Sequence, residues 1–184
     1  MENRTILSPP DIELDRSKVF RRLSVEERSE DGEKLASYIL ISREIARPKI
    51  YLAFSYVTAD GDEDDAVRID GVSFAGSFVR EKLKEAGRVY PYVVTCGWEL
   101  EEWSHGIEDM VEAYWADFLK EEYLRAAFQH LRMYLKTTRA EEKLAHLSPG
   151  SLAAWPIREQ RPLFRLLGDV KAAVGVELTE SCLM

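Results

Sequence analysis

Three histidines (His105, His130, His146) and two cysteines (Cys96, Cys182) are the side chains best suited to hold a metal or to act as nucleophiles. The histidines lie too far apart for a zinc motif, and neither cysteine belongs to a CxxC pair, so both thiols read as buried and reduced. The stretch "DGDEDDAVRIDG", residues 60–71, has the acidity of a calcium loop. Its sixth position is Asp65 where the sharp turn needs glycine, and its twelfth is Gly71 where a bidentate glutamate belongs. It reads instead as a solvated hairpin turn. A GxGxxG, a Walker lysine loop, GxSxG and HExxH are all absent from the sequence. No catalytic residue and no metal ligand is assigned.

Two features admit two readings each. Cys96 and Gly97, in "TCGWELEEW", fall where a strand gives way to a helix. Such a turn either presents backbone N–H groups to a ligand or is close-packed around a buried thiol. Between 99 and 122, nine carboxylates stand against one lysine, Lys120. A solvated helix face accounts for them, with a docking surface for a basic partner as the alternative.

The elements that must position these residues follow from composition and period. The chain has 184 residues, 46% hydrophobic and 32% charged, with a net charge of −8. This is the balance of a folded globular protein, read as a single domain over 1–184. The negative charge, with basic clusters only at 16–22 and 158–165, argues against nucleic acid. No apolar run of about 18 residues occurs, and the first residues lack the basic and apolar regions of a signal peptide. A cytoplasmic protein without a membrane span is expected.

Pro9 and Pro10 make residues 1–10 an extended arm. Helices are expected over 16–28, over 33–46 after Gly32, and over 74–87 ended by Gly87. Strands are expected at 49–58, with a short return strand at 66–71 completing a hairpin, and at 88–97, where Pro91 suits an edge or bulge. From an N-cap at Asp109, apolar residues at Val111, Tyr114, Trp115, Phe118, Leu119 and Leu124, continuing to Leu135, predict one long helix. Residues 161–170 read as a short helix and 174–184 as a final strand. The fold class is α+β: a mixed or antiparallel sheet with a hairpin, packed against a long central helix and shorter helices.

The carboxyl-terminal segment "SPGSLAAWPIREQRPLFRLLGDVKAAVGVELTESCLM" resembles the activation (reactivation) domain of cobalamin-dependent methionine synthase, in a short stand-alone form. The matching residues are Pro149, Gly150, Pro156, the helix around Leu163 to Leu167, Gly175, and Leu178 to Ser181. Weaker similarity reaches upstream through "VVTCGWELEEW" and the long helix.

The resemblance implies a domain that binds S-adenosylmethionine and supports reductive remethylation of cob(II)alamin. It implies three associated components: cobalamin carried by a partner's cobalamin-binding domain or corrinoid protein, the methyltransferase itself, and a flavodoxin- or ferredoxin-type electron donor. The cofactor-binding positions it implies are His146, Ser148, Pro149, Gly150, Ser151 and Glu180. For Ser148, Gly150 and Ser151 a purely structural role stays open, and for Glu180 and Ser181 the structural reading is preferred.

The longer enzymes carry Arg-Pro-Ala-Pro-Gly-Tyr at this turn, where the chain has His146, Leu147, Ser148, Pro149, Gly150 and Ser151. A neutral histidine cannot replace the bidentate fork of arginine, a loss of about 1.5–3 kcal/mol for a hydrogen bond to a charged group. Lys143, Arg158 and Arg161 are candidate substitutes, and Asp11 and Asp15 are candidates for the family's amino-terminal aspartate contact. The competing expectation is an adaptor that docks on a corrinoid protein without binding S-adenosylmethionine. Relatives continue past Leu-Thr-Glu-Ser into a further strand, so the final strand is expected either to be truncated or to have its edge covered by another segment.

Overall fold

Two prolines do not leave the amino terminus unpaired. In the computed structural model, which describes residues 4–58, 66–84, 86–139 and 143–182, Arg4–Leu7 forms a strand, β1. Helix α1 (Arg16–Leu23) starts at Asp15, whose carboxylate accepts from Lys18 N. It stops at Ser24, in the left-handed region at φ 56°, and so is shorter than the apolar period suggested. Helix α2 (Glu30–Ile45) is capped by Ser29, whose Oγ accepts from Gly32 N at 3.0 Å, so Gly32 lies in the first turn rather than before it.

The expected strand 49–58 is two strands, β2 (Lys49–Ala53) and β3 (Ser55–Thr58), which belong to different sheets. The break falls at Phe54, whose ring packs edge-on against Tyr56 and Tyr90, with centroids 4.9 and 5.6 Å away. The acidic turn that should follow lies outside the described residues. Its return strand is β4 (Ala66–Ile69), antiparallel to β3 through Val57↔Ile69 and Thr58↔Arg68. A further strand, β5 (Val72–Ala75), takes residues assigned to a helix, and helix α3 covers only Ser77–Leu83. Strand β6 (Arg88–Val89) and strand β7 (Tyr92–Thr95) are separated at Pro91, whose carbonyl accepts from Ala53 N at 2.9 Å. Helices α4 (Trp98–His105) and α5 (Met110–Thr138) follow. A 3-10 turn at Ile157–Glu159 then leads into α6 (Gln160–Leu167) and α7 (Val170–Val174).

The strand orders are β1-β2-β7 and β5-β4-β3-β6, with antiparallel pairing throughout the second sheet. The class is α+β with a 29-residue helix, as expected. None of the helices among the described residues is long and apolar enough to cross a membrane.

The chain divides into two compact units. Met1–Leu7, Tyr51–Val93 and Glu142–Met184 form one, and Ser8–Ile50 with Val94–Glu141 form the other. The second is helical. On α5, Trp115, Phe118 and Leu119 pack with Val19, Phe20 and Leu35, while Tyr123 packs with Leu100, Cys96 and Ala46. The Asp109 carboxylate receives the N–H groups of Val111 and Glu112, as an N-cap should. Val111 and Tyr114, assigned to the apolar face, are exposed.

In the first unit, Val67, Ile69, Phe74 and Val79 enclose Trp155 and Leu166, and Tyr51, Ala53 and Val93 pack with Leu167, Val170 and Val174. The expected final strand is not formed among the described residues. Helix α7 ends at Gly175 (φ 79°), and the chain turns at 179–182 with Cys182 N donating to Thr179 O. Arg161 holds this segment through Glu180 O at 2.8 Å and Cys182 Sγ at 3.2 Å. The alternating apolar residues Val176 and Leu178 thus lie in a segment bonded by a side chain and a turn, not by a ladder.

Candidate functional site

The turn at 148–155 is wound on its own backbone. Gly150 N donates to Trp155 O at 2.8 Å and Trp155 N to Leu152 O at 2.9 Å, so Leu152 and Trp155 form an isolated antiparallel bridge. Ser151 donates twice to Ser148 O, from its N–H at 3.1 Å and its hydroxyl at 2.6 Å. Gly150 sits at φ 89°, where a Cβ would fall 3.1 Å from Ile157 Cβ and Cγ1. Pro149 and Trp155 are buried, while Gly150 and Ser151 are exposed. The buried tryptophan anchors an exposed, stiff edge.

Of the implied ligand residues, Ser148, Pro149, Gly150 and Ser151 are thus brought together. His146 is exposed, with its ring 6.1 Å from that of Tyr92, whose phenol burial pushes well above its ordinary range. Glu180 is exposed and is tied by its carbonyl to Arg161. Arg161 is therefore already engaged. Arg158 is exposed on the 3-10 turn, next to Ile157, whose side chain lies against Gly150. Asp15 caps α1, and Asp11 lines a cavity of the helical unit.

The fit of these residues to S-adenosylmethionine is partial. The N–H groups of Gly150 and Ser151 and the Ser151 hydroxyl are used inside the turn, so they supply shape rather than bonds to a ligand. The supporting segment has polar atoms to offer. Trp155 Nε1 and Gln160 Oε1 are buried without a hydrogen-bond partner among the described residues. One is a donor and the other an acceptor, and each costs about 1–3 kcal/mol while unpaired. Neighbouring Glu159 is buried, and its Oε2 accepts from Ala75 N at 2.9 Å.

The Cys96–Gly97 turn takes the close-packed reading. Gly97 N donates to Thr95 Oγ1 and Cys96 O accepts from Arg47 N, while burial pushes the Cys96 thiol up. Of the acidic run, Glu99, Glu102, Glu108, Asp109, Asp117 and Glu121 are exposed, as on a solvated face, and the remaining three carboxylates are partly or fully buried. Glu101 and Asp117 hold Lys120, Glu112 accepts from Tyr38 at 2.6 Å, and Glu122 is buried against Lys18, Arg22 and Arg125. The solvated-face reading fails for Glu122. Its place on the buried stripe, four residues after Phe118 and three after Leu119, was the available signal.

No family model matches the chain, and no curated protein matches it in sequence. A crystal structure of the MetH reactivation domain bound to AdoHcy matches its fold with a TM-score of 0.63, over 96% of this chain and 73% of that one, at 13% identity. The likeness is one of fold.

Proposed function

We propose that this chain is an S-adenosylmethionine-binding reactivation factor that supports reductive remethylation of cob(II)alamin on a corrinoid methyltransferase such as a methionine synthase. The observation that carries the reading is the fold likeness over 96% of the chain to a reactivation domain bound to AdoHcy. The stiff turn exposed at Gly150 and Ser151, and the two orphaned buried polar atoms on the segment that follows it, add local support. S-adenosylmethionine supplies the methyl group, and its transfer to cobalt reduced by a flavodoxin- or ferredoxin-type donor leaves S-adenosylhomocysteine. The chain's own residues act by positioning, since proximity and alignment supply much of such an acceleration. The cobalamin is held by the partner.

Calorimetric titration with S-adenosylhomocysteine tests this directly. Saturable heat is expected, and no heat at millimolar ligand rejects the reading. Arg158→Ala is expected to weaken that binding about tenfold, the loss of about 1.4 kcal/mol for one exposed charged contact. An unchanged affinity removes Arg158 from the site.

A second reading rests on Ser151, whose hydroxyl is bonded back to Ser148 O, and on His146 standing where the resemblance expects arginine. On this reading the chain is an adaptor that docks on a corrinoid protein without the ligand. Capture of a purified corrinoid methyltransferase without any S-adenosylhomocysteine heat selects it.

A further inference from the structure

Helix α2 ends at Ile45 with Ala46 as its C-cap, and the carbonyls of its last turn need hydrogen-bond donors from outside the helix. Arg47 supplies one, donating from Nη1 to Glu44 O at 2.7 Å and Ala46 O at 2.8 Å. Beside this terminus the helical unit forms a half-open cavity of about 560 Å³, inside the roughly 300–1,000 Å³ range of small-molecule sites. Its apolar wall includes Pro9, Pro10, Ile12, Leu40 and Tyr123. Leu40 is 62% exposed although it projects from a helix that packs in the core, so the wall has apolar surface still to cover.

The charges around the cavity are unevenly matched. Arg43 is drawn to Glu13, 3.3 Å away, and Arg47 is held by the carbonyls it caps. Lys49 also lines the cavity, half-buried and with no ion-pair partner among the described residues. Asp11 and Glu44 line it as exposed carboxylates and likewise form no ion pair among those residues. One half-buried lysine, two carboxylates without an ion-pair partner among the described residues and an apolar wall complement a zwitterion with an apolar tail.

We infer that this cavity is a binding site for a small apolar α-amino acid, its carboxylate on Lys49, its ammonium on Asp11 and Glu44, and its side chain on Leu40 and Tyr123. The inference is independent of the reading of the Pro149–Gly150 turn.

The test is an NMR titration of the full chain with L-norleucine, which carries neither nucleoside nor sulfonium, so its failure leaves the proposed reactivation role untouched. Saturable shifts of the Leu40 methyls and of the Tyr123 and Lys49 resonances are expected. N-acetyl-norleucine, which lacks the ammonium, and norleucine amide, which lacks the carboxylate, should each bind at least about tenfold more weakly, a difference of about 1.4 kcal/mol. Lys49→Ala should weaken norleucine binding to a similar degree with its circular dichroism melt unchanged. No saturation, shifts confined to other residues, or binding of either blocked analogue as tight as that of norleucine would each overturn the inference.

Discussion

Gly97→Ala is expected to lower the stability of the chain by about 3 kcal/mol, read as a fall in the urea midpoint at unchanged slope. Gly97 sits at φ 102° and ψ 143°, a backbone conformation that costs a residue with a Cβ about 1–3 kcal/mol. The added carbon would also lie 2.8 Å from both Arg47 N and Arg47 O. Neither atom belongs to a flexible side chain. Arg47 N is fixed by its bond to Cys96 O at 3.2 Å, so relief of the clash breaks that bond and moves the start of α4. Gly106→Ala is the control. Gly106 has φ −83°, and its nearest prospective contact is Trp103 O at 3.5 Å, so a change within about 1 kcal/mol is expected there. Equal effects at the two glycines would remove the close approach as the cause.

The contrast between these glycines shows which parts of the fold a sequence discloses. Helix α5 was legible because its signals are local: an aspartate cap and apolar residues at helical spacing from Trp115 to Leu135. Val111 and Tyr114 obey the same period yet are exposed, since period marks a face without showing how far along the helix that face is covered. The break at Phe54 was hidden for a related reason. Residues 49–58 are β-formers throughout, and only the partners, β4 and β6 on one side and β1 and β7 on the other, divide them. At the carboxyl terminus Val176 and Leu178 alternate like a strand, but Arg161 takes the carbonyl that a ladder would use. The Pro149–Gly150 turn was legible as a turn. Its inward hydrogen bonds were not, because serine carries no mark of whether its hydroxyl faces a ligand or its own backbone.

Glu122 is the second position where a large effect is expected, and it was the least legible, one carboxylate among nine in its stretch. It is 7% exposed on α5 and meets Lys18 at 2.8 Å and Arg22 at 2.7 Å, both from α1, as well as Arg125 from its own helix. Burial by itself would raise its pKa. The hydrogen bond and charge of Lys18, with Arg125 and Arg22, outweigh that and hold the carboxyl below the usual glutamate range. Breaking a buried pair costs about 3–5 kcal/mol, but the three cations are 40–43% exposed and screened, so about 2 kcal/mol is expected for Glu122→Gln at pH 7. Because the folded pKa is depressed, this stabilisation is fully present above the unfolded value of about 4.3 and is lost as pH falls through the folded value. Urea unfolding of wild type and Glu122→Gln between pH 7 and pH 3 should therefore show a gap that is constant near neutrality and closes below about pH 4. Salt at about 1 M should narrow it at pH 7, since the cations are open to solvent. A gap that persists undiminished at pH 3 would mean that glutamine fails there by packing and that the ion cluster contributes nothing to holding α1 on α5.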